Sequence, residues 1–446
     1  MSARSPQGPR PSPSGSAPES PASPAGPSGA GSRVAHAGRA AAAIPRRRFG
    51  YVLAPVASTT MMIGGSAPSP FYPTLADRLG LDGFGIALVF AVYVVALLVS
   101  LLTAGSLSDY VGRRPLISGG LVILAGSVLI FWSADSTEML LLARVVQGIA
   151  TGILMSTLSA TITDFAPPTR PQSAAVVNGV TPMVGLALGA VLAGVVLDLA
   201  PDAALDLVFL PLVVLYLVFA VTFWFVPETS SRQPGWGRAL LPRMAVPAPA
   251  RRMFVMSVPV VLAGWSTGGL FLSLGPNIVR DELYVGGHSG QGIVIGLLPA
   301  VGAVAAFLIR NRSPRTITIF GSTALAAGTA LMLLALVLHS FPLYVVAVVV
   351  AGSGFGTGFM GVVGSLLPLV PLHRRAELFA ALYTVSYLAF GVPAVVAGAL
   401  STLVGLHATA IGYGIVVLVA ASGAAILRAR SRETVGAPVP PVAATP

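Results

Sequence analysis

Twelve apolar runs, each about as long as a bilayer crossing, decide what this chain can become. They occupy 51–73, 85–107, 115–133, 138–163, 173–197, 205–227, 253–276, 290–309, 316–338, 342–369, 377–400 and 405–428, and they break at polar, glycine or proline clusters. A helix needs about 20 apolar residues to cross the hydrocarbon core. No water reaches free N–H and C=O groups there, so each run must close its own hydrogen bonds as a helix. The expected fold is an all-α membrane protein with twelve transmembrane helices. Only 9% of the 446 residues are charged, against roughly 25% in a soluble domain, which leaves no room for a soluble reading.

Charge then orients the spans. All 26 basic residues are arginine. With the N-terminus on the cytoplasmic side, 23 of the 26 fall on that side, including those at 46–48, 113 and 114, 170, five between 232 and 252, and 310, 312, 315, 374 and 375. Arg78 and Arg280 fall outside, and Arg144 falls within a span. The opposite face collects Asp77, Asp82, Asp135, Glu138, Asp198, Asp202, Asp206, Asp281 and Glu282. The positive-inside rule therefore places both termini in the cytoplasm of a multi-pass plasma-membrane protein. The net charge of +11 is topological and calls for no nucleic-acid partner.

Residues 1–48 and 429–446 are rich in Pro, Ser, Gly and Ala and too poor in apolar residues to offset ordering entropy, so both are expected to be disordered cytoplasmic tails. A first bundle over 49–227, an arginine-rich linker over 228–252 and a second bundle over 253–428 complete the organisation. The two bundles show an internal duplication. "QGIATG" at 147–152 matches "SGFGTG" at 353–358 at an offset of 206, "GFGI" at 83 matches "GQGI" at 290 at 207, and "AVLAG" at 190 matches "AVVAG" at 394 at 204. Parallel repeats of this kind imply two pseudo-symmetric six-helix bundles with a pore or substrate cavity between them, opened by rocking.

The connection "GSLSDYVGRRP" at 105–115 puts an acid, two glycines and two arginines between two very apolar runs. Gly105, Asp109, Gly112, Arg113 and Arg114, with Leu107, resemble the G-x-L-x-D-x-x-G-R-R loop of the major facilitator superfamily, and the resemblance extends over 49–428, most closely to its twelve-helix drug and metabolite efflux branch. It implies that Asp109 latches the cytoplasmic side by reaching the start of the eleventh helix near Arg375, favouring the outward-open state. The plainer alternative leaves Asp109 solvated and the arginines as topological anchors. "LLLARVVQG", with Arg144, Gln147 and Gly148, resembles the fourth-helix R-x-x-Q-G motif of the same superfamily. A charge at mid-membrane costs ~2.5 to 3.5 kcal/mol on an insertion scale, so Arg144 either faces a cavity or partner or snorkels to the outer interface. On the fifth helix Gly185, Gly189 and Gly194 resemble the antiporter motif G-x-x-x-G-P-x-x-G-G, with Ala190 and Ala193 at two of its positions; close helix packing is the other use of such residues.

The cavity candidates by depth are Met61, Met62, Tyr93, Met155, Asn178, Trp265, Phe355, Met360, Tyr383 and Tyr387. Aromatic and methionine lining suits an amphipathic substrate. No Asp, Glu or His lies near the middle of any span; Asp77, Asp164 and Asp198 are at ends, and His36, His288, His339, His373 and His407 fall in tails or loops. With no cysteine and no convergent acid, base or nucleophile, neither an enzyme nor a metal or cofactor site is expected. The expected function is a secondary transporter, acting as a monomer in the bilayer, that exports small amphipathic compounds by alternating access, with protons a candidate coupling partner. The rival is an importer or uniporter of a polar nutrient such as a sugar.

Overall fold

The computed structural model describes residues 29–170, 173–230, 232, 234–235, 237, 240, 244–371 and 374–431. Both ends of the chain and much of the linker lie outside them. Residues from Arg46 on form a compact unit of their own. Its helices are α1 (Gly29–Ser66), α2 (Gly83–Ala104), α3 (Arg113–Trp132), α4 (Thr137–Phe165), α5 (Ser173–Leu199), α6 (Ala204–Thr222), α7 (Ala248–Ser273), α8 (His288–Ile309), α9 (Pro314–Val337), α10 (Phe341–Leu366), α11 (Arg375–Val404) and α12 (Leu406–Arg430). Eleven helices among the described residues are long and apolar enough to cross a membrane. Helix α1 is not among these eleven; its Tyr51–Ser66 part packs into the first half and brings the bundle to twelve helices.

Helix α1 begins inside the stretch expected to be tail. Its residues 29–48 are helical backbone, for which the alanines at 35, 37 and 40–43 have the highest intrinsic propensity. At its other end α1 stops before Pro68; the chain turns through Ser69–Phe71 and continues as a short helix, Tyr72–Leu79, so the expected single span over 51–73 is broken. Local side chains set several helix starts. Asp82 accepts the Gly85 N–H at 2.7 Å to open α2, and Ser136 and Ser313 accept the N–H of Met139 and Thr316 to open α4 and α9.

The buried apolar residues divide as the duplication implies. One cluster fills α1–α6, around Leu121, Leu124, Leu140, Phe209 and Tyr216. Others fill α7–α12, and a separate cluster of Phe90, Tyr93, Val94, Leu97, Ala190, Leu272, Ile295, Tyr387 and Phe390 joins the halves. The halves meet along two seams, α5 against α8 and α2 against α11. Both are built on absent side chains. A Cβ on Gly194 would sit 2.5 Å from the His288 carbonyl and 3.1 Å from Gly292 Cα, and one on Gly398 would sit 2.6 Å from the Gly83 carbonyl and overlap Ala87.

These contacts correct the register of the duplication. The 204 offset between 190–194 and 394–398 is the one the packing keeps. At the 206 offset Gly148 pairs with Gly354, yet Gly148 lies on α2, against the Tyr93 carbonyl and Ala96, whereas Gly354 lies on α9, against Gly321 and Leu325. The residues that repeat Gly148 and Gly152 are Gly352 and Gly356, which press on α8 at Leu298, Val301 and Gly302. Glycine at every second position from 352 to 358 lets the sequence be slid by two residues without an apparent penalty, and only the facing backbone distinguishes the registers.

Candidate transport site

A wall of rings stands where the halves meet at mid-height. Phe379, Tyr383, Tyr387 and Phe390 follow one another at four-, four- and three-residue steps along α11, which puts them on one face of the helix. Successive pairs lie 6.1 Å (Phe379–Tyr383), 6.2 Å (Tyr383–Tyr387) and 6.4 Å (Tyr387–Phe390) apart, and the indole of Trp265 on α7 meets Tyr387 at 5.1 Å, Phe390 at 5.6 Å and Phe359 at 5.7 Å in edge-on contacts. The other half answers with Phe90, 5.1 Å from Phe390, and with Met155, whose sulfur accepts the Tyr387 hydroxyl at 3.2 Å. Such ring contacts contribute ~0.5 to 1.5 kcal/mol each beyond burial.

The sequence candidates divide accordingly. Tyr93, Met155, Trp265 and Tyr387 come together here, and Phe355 adjoins them across Gly268, which it shares with Phe390. Met61 does not join them; it is buried in the core of the first half. Asn178 is also elsewhere, tying α5 to α4 by donating to the Ser159 carbonyl at 3.2 Å. Phe90, Phe359, Phe379 and Phe390 are absent from the sequence candidates, although the aromatic stripe on α11 was there to be read.

Arg144 does not snorkel. It is 1% exposed, and Nη1 donates to Gln147 Oε1 and Nη2 to the Tyr72 hydroxyl, each at 2.5 Å. Its guanidinium carbon lies 5.2 Å from the Phe131 ring centre, 5.6 Å from Tyr72 and 5.7 Å from Tyr93. Gln147 Nε2 passes the connection on to the Gly64 carbonyl at 2.8 Å. Among the described residues no carboxylate pairs with Arg144, and its Nε has no acceptor. The charge is held by one hydroxyl, one amide and three π faces, an arrangement that ties α4 to α1 and to the short helix beyond it. On α5, Gly185 and Gly189 let α1 approach at Thr59, Met62, Ile63 and Ser66, while Gly194 faces the other half.

The 105–115 connection folds into a network within the first half. Gly112 adopts φ +113°, a backbone conformation that side chains disfavour, and so brings the start of α3 under Glu228. Glu228 accepts the N–H groups of Arg113 at 2.8 Å and Arg114 at 3.1 Å, with those of Thr229 and Ser230. Burial pushes its carboxyl up, but these four donors outweigh it and hold it below its ordinary value of 4.5. Arg113 pairs with Asp109 at 2.9 Å and with Asp164 at 3.2 Å, and Asp164 also accepts the Thr229 hydroxyl at 2.6 Å. Asp164 enters the sequence reading only as an acid at a span end and Glu228 not as a partner of this loop; an acid just past a span that ends near a tight arginine turn is the signal for it.

Asp109 is 48% exposed and does not reach α11 in this conformation. Arg375 turns back to the carbonyls of Val370 and Leu367. Among the described residues the hydrogen bonds across the halves sit instead at mid-height and at the acidic end, where Arg280 meets Asp77 at 3.3 Å and the Ser69 hydroxyl donates to the Leu272 carbonyl at 2.8 Å. The Asp281 carboxylate, followed by the charge of Asp77, raises the Arg280 pKa above its ordinary value.

Glu228→Gln is expected to loosen the start of α3, because an amide cannot offer charged oxygens to four N–H groups. Thermal unfolding in detergent checks this. The Glu228 pKa is depressed on folding, so its contribution is complete above 4.5 and lost as pH falls through the lowered value; variant and wild type should differ at neutral pH and converge in acid.

A family model described as Major Facilitator Superfamily matches residues 56–392. The uncharacterized transporter YebQ of Escherichia coli (strain K12) is 29% identical over 224 residues, 50% of this chain and 47% of its own length. Multidrug resistance protein MdtL of Shewanella sp. (strain ANA-3) is 24% identical over 267 residues, 59% of this chain and 66% of its own. The chain therefore spans about half to two thirds of the length of these relatives. Among solved structures, a bacterial homolog of the human lysosomal transporter Spinster superposes at a TM-score of 0.67 with 16% identity, covering 86% of this chain and 97% of that one.

Proposed function

The chain belongs to the Major Facilitator Superfamily, and on that premise we propose that this transporter exports small amphipathic compounds by alternating access between its two six-helix halves. The observation that carries the reading is the aromatic wall of Trp265, Tyr383, Tyr387 and Phe390, faced across the halves by Met155. Rings and a thioether bind apolar bodies without fixing their orientation, which suits varied substrates more than a polyhydroxylated nutrient that needs many directional donors and acceptors. The name of the MdtL relative, a multidrug resistance protein, points the same way.

With the arginine-rich end in the cytoplasm of a plasma-membrane protein, the conformation is the one closed toward the outside. The unmade contact between Asp109 and α11 fits it, because a cytoplasmic latch belongs to the opposite state. A proton coupled to this cycle would be carried by acids at the helix ends, Asp77, Asp164 or Asp198.

The test is transport by Trp265→Ala and Tyr387→Ala in everted vesicles. Each should lower the initial rate for an amphipathic aromatic dye by about tenfold, the worth of one well-packed ring contact. Unchanged rates in both would remove the wall from the site.

A further inference from the structure

The two seams between the halves are built alike except at their acidic ends. In the α2–α11 seam, α2 carries its own cap, Asp82 accepting the Gly85 N–H at 2.7 Å. In the α5–α8 seam the matching cap position of α8 is Gly287, which has no side chain and caps nothing. The missing acceptor comes from the other half of the molecule. Asp198, at the end of α5, accepts the N–H groups of His288 at 2.8 Å and Ser289 at 2.7 Å, and its Oδ1 lies 3.0 Å from His288 Nδ1. The residue at the equivalent place on α11, offset by 204, is Thr402, whose hydroxyl donates to the Ala399 carbonyl on its own helix. The fold can thus be capped locally, and in one seam of two it is capped across the halves.

We propose that Asp198 is the lock of this seam, a positioning residue that biases the carrier toward the state closed at the acidic end. The bond is well placed for that work. Gly194, one turn earlier on α5, presses on the His288 carbonyl and on Gly292, and Gly292 and Gly296 press back on α5 at Ala190, Ala187 and Val191. The carboxylate therefore closes a tightly packed glycine seam at its mouth, and separating the halves there strips the first turn of α8 of its acceptor. Hydrogen bonds to a charged group are the stronger kind, and placing an anion at a helix N-terminus adds to them. The Asp77 and Arg280 pair, 3.3 Å apart, crosses the halves at the same end and shares the load.

The inference rests on the carrier reading, but its test needs no substrate, so the two can fail separately. The chain has no cysteine, and Ile295, buried in the cluster that joins the halves, is the reporter as Ile295→Cys. Labelling by a membrane-impermeant maleimide applied from the acidic side should be slow in this background and about tenfold faster or more with Asp198→Ala. The deciding variant is Asp198→Ala combined with Gly287→Asp, which copies the Asp82 arrangement and returns a cap to α8 within its own half. Gly287 has φ −98° and ψ 142°, the extended conformation a capping residue adopts. Labelling that stays fast in the double variant supports the lock. Labelling that returns to the slow rate reduces Asp198 to a helix cap and overturns it, as does a rate that Asp198→Ala leaves unchanged. Should Asp198→Ala fail to reach the membrane, Asp198→Asn, which keeps an acceptor without the charge, should still speed labelling severalfold, and a wild-type rate there contradicts the proposal.

Discussion

Arg144→Met should give a protein that folds as well as the wild type or better and transports at least about 100-fold more slowly. The first half follows from what surrounds the guanidinium. It is buried with no carboxylate among the described residues, and one of its nitrogens has no acceptor. An unpaired buried charge carries a desolvation penalty of several kcal/mol that methionine does not incur, and this gain offsets the bonds to Tyr72 and Gln147 that are lost. A residue that merely held α4 in place would thus be better as methionine. The second half follows from position. Arg144 holds Tyr72 and Gln147, Gln147 holds the backbone of α1, and the ring of Tyr93 lies both against Arg144 and in the cluster where the halves meet. A loss of ~3 kcal/mol in the moving state, the scale of two bonds to a charged group, amounts to about two orders of magnitude in rate. Thermal unfolding and dye transport on the same preparation check both halves together. Wild-type transport by Arg144→Met would make the arginine a structural accident.

Gly356→Val should abolish folded protein. A Cβ there would stand 2.6 Å from Gly302 Cα and closer still to its carbonyl, so what it meets is the backbone of α8. Side chains can change rotamer to relieve overpacking, which then costs ~1 to 3 kcal/mol; a facing backbone can only retreat, so the expected loss exceeds that range. Retreat of α8 from α10 would also disturb the glycine seam that α8 makes with α5 on its other side. Gly412→Val on α12, where an added Cβ would meet nothing from a neighbouring element within 4 Å, is the matched control and should be tolerated. Size-exclusion profiles of the two variants in detergent give the comparison directly.

Much of the architecture is legible in the sequence because the bilayer imposes it. Span length, the sorting of arginines and acids and the duplicated halves are local or periodic properties, and the helices appear where those patterns place them. The break after Ser66 is carried by Pro68 and Pro70, which the sequence shows, but whether a proline bends a span or ends it depends on the packing beyond. The duplication register fails for a different reason: alternate glycines at 352–358 are equivalent along the chain and become distinct only when α8 and α9 lie on opposite sides of α10.

The site divides in the same way. Arg144 and Gln147, one turn apart, are found from their helix alone, and the partner Tyr72, from beyond a proline turn, is not. Tyr93, Met155, Trp265 and Tyr387 are selected by depth, and depth also selects Met61 and Asn178, which face inward to their own half. Depth tells how far a residue lies from the interface and nothing of which neighbour it faces. Glu228 and Asp198 act on helix starts about 115 and 90 residues away in sequence, and no periodicity announces such a pairing.

The most direct test of the account is the initial rate of accumulation of an amphipathic aromatic dye in everted vesicles containing the protein, measured against vesicles without it and against a sugar in the same preparation. Saturable accumulation of the dye, with the sugar excluded, is what the aromatic wall and the closed acidic end predict. Saturable movement of the sugar, with the dye behaving alike in both sets of vesicles, would contradict export of amphipathic compounds and make the carrier one for a polar nutrient.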